Sequence, residues 1–144
     1  EGVVMYNHRM NAYSKDSLRS ELSAADPHRI IQMLMQGALD RLARAKGQIE
    51  RRDLAGKAES LSKASAIINS LSSSLDFEIG GEIANNLASL YDYMVGRIHD
   101  AAVDLDNAAI DEVMFLLGEI KSAWDEIRPV ALAEVPTEPL RVGA

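Results

Sequence analysis

Three histidines and a scatter of aspartates are the residues of this chain whose types invite chemistry. A carboxylate-bridged metal pair inside a helical bundle needs a Glu three positions before a His on each of two helices. None of His8, His28 and His99 has one. A phosphorelay bundle needs an exposed His in a small, basic setting, but His99 is followed by Asp100-Ala101-Ala102-Val103 and reads as a surface or core-edge residue. Asp100, Asp104, Asp106 and Asp111 fit a solvated acidic face and a helix N-cap better than a metal site. Asp76 and Glu78, flanking Gly80-Gly81, lack the spacing of a calcium loop. Ser70 to Ser74 offer hydroxyls with no His or carboxylate arranged to activate them. The chain has no cysteine, which removes disulfides, thiolate nucleophiles and most structural zinc sites, and which fits a reducing cytosol. The expectation is therefore no enzyme, no catalytic residue, no metal and no cofactor.

The remaining sequence is what helices need. With 144 residues, 47% of them apolar and 5% aromatic, one core built from Leu, Ile, Ala and Met is expected. A formal charge of -7 repels phosphate backbones, so nucleic acid is an unfavoured partner. The cations at Arg41, Arg44, Lys46, Arg51 and Arg52 sit where they complement a helix C-terminus. No apolar run reaches the roughly 20 residues of a membrane span, and no secretion signal is visible, so neither membrane insertion nor secretion is expected. Residues before Met5 have the look of an added remnant, since the chain starts with Glu.

Periodicity predicts four helices. Asp26-Pro27 opens the first, with Ile31, Leu34, Ala38, Leu42, Ala45 and Ile49 on one face. Met33 points nearly opposite, with Gly37 beside it and Ile30 at its edge, and is either a tolerated surface residue or a soft contact for a partner. Asp53 caps a second helix whose inner stripe is Leu54, Ala58, Leu61, Ser65, Ile68, Ser72 and Leu75, flanked by Ala64 and Leu71. Ile67 lies a quarter-turn off that stripe. Asp76 to Gly81 reads as a glycine-broken loop in which Phe77 and Ile79 cap one end of the core. A third helix runs from about Glu82 to Leu105 with Ile83, Leu87, Leu90, Met94, Ile98, Ala101 and Leu105 inward. It carries a second stripe, Ala84, Ala88, Tyr91, Val95 and Ala102, in which small residues around one large one suggest a shallow groove floor. Asp106 caps the last helix, which lines Ile110, Val113, Leu117, Ile120, Trp124 and Ile127 on its core face and turns Phe115 about 160° away. Arg128-Pro129 ends it.

Short connections make this an all-α, antiparallel up-and-down four-helix bundle over residues 26–128. A detachable, partly helical N-terminal segment over 1–25 and a flexible tail over 129–144 are expected to flank it.

Several runs also carry a family pattern. They are Asn11-Ala12-Tyr13, Pro27-His28-Arg29-Ile30-Ile31-Gln32-Met33-Leu34 and Lys63-Ala64-Ser65-Ala66-Ile67-Ile68. Next come Leu75-Asp76-Phe77-Glu78, Gly80-Gly81-Glu82-Ile83-Ala84-Asn85-Asn86-Leu87, Leu90-Tyr91-Asp92-Tyr93-Met94 and the closing Ala123-Trp124-Asp125-Glu126-Ile127. In their order and spacing, from about Asn11 to Ile127, they resemble the flagellar secretion chaperone family FliS. Two departures are Asp26, where the family usually has Ser or Thr, and Met35, where it commonly has Tyr. The resemblance implies a cytoplasmic export chaperone that binds the disordered C-terminal segment of flagellin, blocks premature polymerisation and delivers the subunit to an export gate protein. It implies a flagellin-binding groove, for which Met33, Ile67, Ala84, Ala88, Tyr91, Val95 and Phe115 are the candidates. It also implies an N-terminal cover carrying Met5, Tyr6 and Tyr13, though these equally suit the anchoring of a frayed end. A monomer or weak homodimer is expected. Two other readings stay open: a helical adaptor or anti-regulatory protein of the flagellar system that binds a folded partner, and a phosphotransfer bundle using His99.

Overall fold

A computed structural model describes residues 26–127 of the chain. Among these there are four helices and no strand: α1 Pro27–Glu50, α2 Leu54–Ser73, α3 Phe77–Asp104 and α4 Asn107–Glu126. The chain divides into a unit Glu1–Ile30 and a unit Ile31–Ala144. Of the first, only Asp26 to Ile30 are described, as the cap and opening turn of α1. The expected N-terminal segment, with Met5, Tyr6 and Tyr13, and the expected tail lie outside the described residues.

Every helix starts behind an aspartate, because a carboxylate there accepts the otherwise unpaired first N–H groups. Asp26 accepts from the Arg29 amide at 2.8 Å, Asp53 from Gly56 at 3.0 Å and Asp106 from Ala108 at 2.9 Å. Asp76 accepts from both Glu78 and Ile79 at 3.0 Å. That last cap overturns the expected loop over 76–81. Helix α3 begins at Phe77, and the break is confined to Gly81, whose φ of 51° and ψ of -123° kink the helix without ending it. Phe77 and Ile79 do not cap the core: they are 50% and 87% exposed. The turn after α1 closes through bonds from Asp53 N to Gln48 O and from Arg52 N to Ile49 O, with Arg52 in the left-handed conformation that usually favours glycine.

Side-chain bonds fix the topology. Ser60 Oγ donates to Gln48 Oε1, joining the start of α2 to the end of α1. Lys57 Nζ donates to the Ala102 carbonyl at 2.9 Å, joining the start of α2 to the end of α3. Glu112, early in α4, accepts from Tyr93 and Arg97, late in α3. Lys46 pairs with Asp111, and Gln32 with Asp125, so α4 also runs antiparallel to α1 and closes the ring. The fold is the antiparallel up-and-down four-helix bundle.

Its centre is Met35, Leu42, Ile68, Leu71, Met94, Ile98, Ile110, Val113 and Leu117, all fully buried. Met35 is thus core, where an unbranched thioether fills irregular space. The buried face of α2 is rotated from the expected stripe. Lys57, Ser60, Leu61, Ala64, Ile68 and Leu71 are inside, whereas Leu54 and Ala58 are exposed. Two polar residues can sit on that face because Ser60 and Lys57 both find partners there. Ile83, two residues past the kink at Gly81, and Leu105, the left-handed residue that ends α3, were expected inward, and both are exposed.

Candidate functional site

The residues expected to form one groove fall on three surfaces. On the first, between α1 and α2, Met33 and Ile67 are both half-buried. Between them Gly37 leaves a dent: a Cβ placed there would stand 3.6 Å from Ile67 Cδ1. Met33, one turn before Gly37, is not among the residues packed on the core, whereas Ile67 is.

The second surface is not open. Ala84 and Tyr91 are each 3% exposed, and Tyr91 packs in the same cluster as Leu61, Ala64 and Ile68. Ala88 and Val95 are half-buried. The helix that settles on this stripe is α2 itself, since α2 and α3 share the most extensive backbone contact among the described helices. Small side chains on both helices allow that approach: Ala64 on one, Ala84, Ala88 and Ala102 on the other. The stripe read as a groove floor is an internal helix–helix interface. Burial pushes the Tyr91 phenol upward from its ordinary pKa.

The third surface carries Phe115, on the outer face of α4 and 65% exposed. Beside it runs a charged network: Arg97 donates from Nε to Glu112 at 2.8 Å and from Nη1 to Asp100 at 3.0 Å, and Tyr93 OH donates to Glu112 at 2.8 Å. Hydrogen bonds from Arg97 and then Tyr93 hold the Glu112 carboxyl below the usual carboxylate range. The same bond to Glu112 pushes the Tyr93 phenol upward. Tyr93, exposed but anchored, was not among the expected site residues. Its signal in the sequence was a large aromatic on the polar side of an otherwise regular helix.

Charge separates the halves of the molecule. From Asp26 to Leu75 there are eight Lys or Arg against five Asp or Glu, a formal +3. From Asp76 to Ile127 there are two against twelve, a formal -10.

Chemistry finds no purchase on these surfaces. Among the described residues no three His, Asp or Glu side chains converge as a metal site. His99 is exposed on α3, Asp106 is a cap, and Asp100 and Asp111 are in ion pairs. Among the described residues no helix is long and apolar enough to cross a membrane.

A bundle with spare apolar seams and no reactive cluster is what a binding protein requires, and comparison with known proteins agrees. The family model described as flagellar protein FliS matches residues 9–131. The flagellar secretion chaperone FliSB of Pseudomonas aeruginosa is 47% identical over 118 residues, 82% of this chain and 94% of its own length. The flagellar secretion chaperone FliS of Vibrio cholerae is 48% identical over 120 residues, covering 83% and 88%. Its namesake from Salmonella typhimurium is 46% identical over 123 residues, covering 85% and 91%. From the capped helix starts to the closing Trp124, the pattern is that of one family, and the chain belongs to it: FliS, a family of secretion chaperones and not of enzymes.

Proposed function

We propose that this protein is a cytoplasmic flagellar secretion chaperone. It captures the disordered C-terminal segment of flagellin one-to-one, keeps it from polymerising and hands it to a protein of the export gate. The observation that carries this reading is the family match along residues 9–131. Physical chemistry supports it. A disordered segment that folds on binding lays amphipathic helices into apolar seams of a host, and pays its ordering entropy at that moment. Met33 and Ile67, on either side of the Gly37 dent, form the seam accessible for a first contact. Ala84, Ala88, Tyr91 and Val95 become client contacts only if α2 parts from α3.

Calorimetric titration with a peptide of the flagellin C-terminal segment tests the proposal. Binding accompanied by a coil-to-helix change in the peptide's circular dichroism is the expected result. No binding by the wild-type chain overturns the function. Met33→Glu is expected to weaken binding by roughly tenfold, the scale of one lost apolar side chain. Undiminished binding by the folded variant overturns the seam and leaves the function standing.

A further inference from the structure

The acidic half of the bundle has an open apolar seam that the flagellin seam does not use. Helices α3 and α4 are held in register by Glu112, which bonds Tyr93 and Arg97. In that antiparallel register Leu90 stands level with Leu116, and Ile83 falls within a turn of Ile127. Leu90 and Leu116 are half-buried and form a floor. Tyr93, Phe115, Ile83 and Ile127 rise around it, exposed by 47%, 65%, 71% and 45%. Tyr93 to Ile83 is ten residues of α3, or about 15 Å. That length accepts a helix of about three turns.

The rim decides what kind of helix. Glu82, Glu119 and Glu126 are exposed along this side of the two helices, and none has an ion-pair partner among the described residues. The two cations of this half are already engaged, Arg97 by Glu112 and Asp100, Lys121 by Asp125. A helix laid here with acidic flanks meets uncompensated repulsion, and one with basic flanks meets three carboxylates.

We propose that the α3–α4 seam is a docking site for a basic amphipathic helix of a second protein, with apolar side chains on the Leu90–Leu116 floor and Lys or Arg toward Glu82, Glu119 and Glu126. This site is separate from the α1–α2 seam, and it takes Phe115 out of the flagellin groove in which the sequence pattern had grouped it.

The test uses fluorescence anisotropy with a labelled designed peptide, a three-turn helix with Leu on one face and Lys on the other, and its Leu/Glu counterpart. The full chain is expected to bind the Leu/Lys peptide, more weakly as salt rises, and to leave the Leu/Glu peptide free. Phe115→Ser and the double variant Glu119→Lys, Glu126→Lys are each expected to weaken binding by roughly tenfold or more. Asp40→Lys, a single charge reversal of the same kind on the outer face of α1, is expected to leave it unchanged. The proposal is overturned if Asp40→Lys weakens binding as much as the seam variants, if Phe115→Ser binds as wild type, or if both peptides bind alike. A dimer of the wild-type chain in sedimentation that Phe115→Ser dissolves also overturns it, assigning the seam to a second copy. Flagellin-peptide titration of Phe115→Ser is expected to match wild type, so the two sites stand or fall separately.

Discussion

Helix α3 has two neighbours and treats them differently. Toward α2 it presents Ala84, Ala88, Val95 and Ala102, the backbones close up, and the one large side chain, Tyr91, enters the core. Toward α4 it presents Tyr93, Arg97 and Leu90, the contact is held by a charged network, and large apolar groups remain in solvent. On a helical wheel both arcs are apolar enough to bind something. Size separates them: small side chains let a neighbouring helix fill the space, whereas large ones at a rim leave a furrow between cylinders. A wide apolar arc of alanines therefore signals close packing before it signals a ligand.

Substitutions can break this contrast. Tyr91→Ala should cost about 3–5 kcal/mol in chemical denaturation, as a large ring removed from a packed core does. Tyr91→Phe should be close to neutral, since it keeps the ring and no described residue is shown hydrogen-bonded to the hydroxyl. If Tyr91→Ala cost under about 1 kcal/mol, the α2–α3 contact would have to be loose. Ala64→Leu, forcing the same two helices apart, should cost about 1–3 kcal/mol. On the other side of α3 the effects should be small. Phe115→Ser should change stability by no more than about 0.5 kcal/mol, which makes it a clean probe of binding.

The smallest effect concerns acid. Because Arg97 and Tyr93 depress the Glu112 pKa, its ion pair contributes stability above the unfolded carboxyl value and loses that contribution as pH falls through the folded one. Melting temperatures followed from about pH 6 to about pH 3 should therefore fall further for wild type than for Glu112→Gln. Parallel curves would remove Glu112 as the group that ties α4 to α3.

Most of the fold was legible in the sequence because its signals are local. Three of the four aspartate caps, the three-and-four spacing of Leu42, Ile98 and Leu117, and the short connections each depend on a few neighbouring residues. The misreadings share a different cause. Lys57 and Ser60 are buried because of Ala102 and Gln48, 45 and 12 residues away, and no local pattern reveals such partners. Asp76 was hidden as a cap because paired glycines look like an end, whereas Gly81 alone absorbs the kink. The candidate site was least legible. Periodicity placed Ile67 and Tyr91 correctly around their own axes, but whether a flank is covered depends on where the neighbouring helix lies. The imbalance of charge between the two halves was countable from the start, and it acquires meaning only once α3 and α4 are adjacent.

The up-and-down connectivity has a kinetic consequence. Each of α1, α2 and α3 is joined to the helix that follows it by a turn of two or three residues, so most native contacts lie within a helix or between consecutive helices. Chains of that kind have low contact order and fold in microseconds to milliseconds. The pairing of α1 with α4, at Lys46–Asp111 and Gln32–Asp125, is the exception, because it must close a loop of most of the domain. It is therefore expected to form last in folding and to open first when the bundle breathes, which makes amide exchange along the α1–α4 seam the most sensitive reporter of partial unfolding.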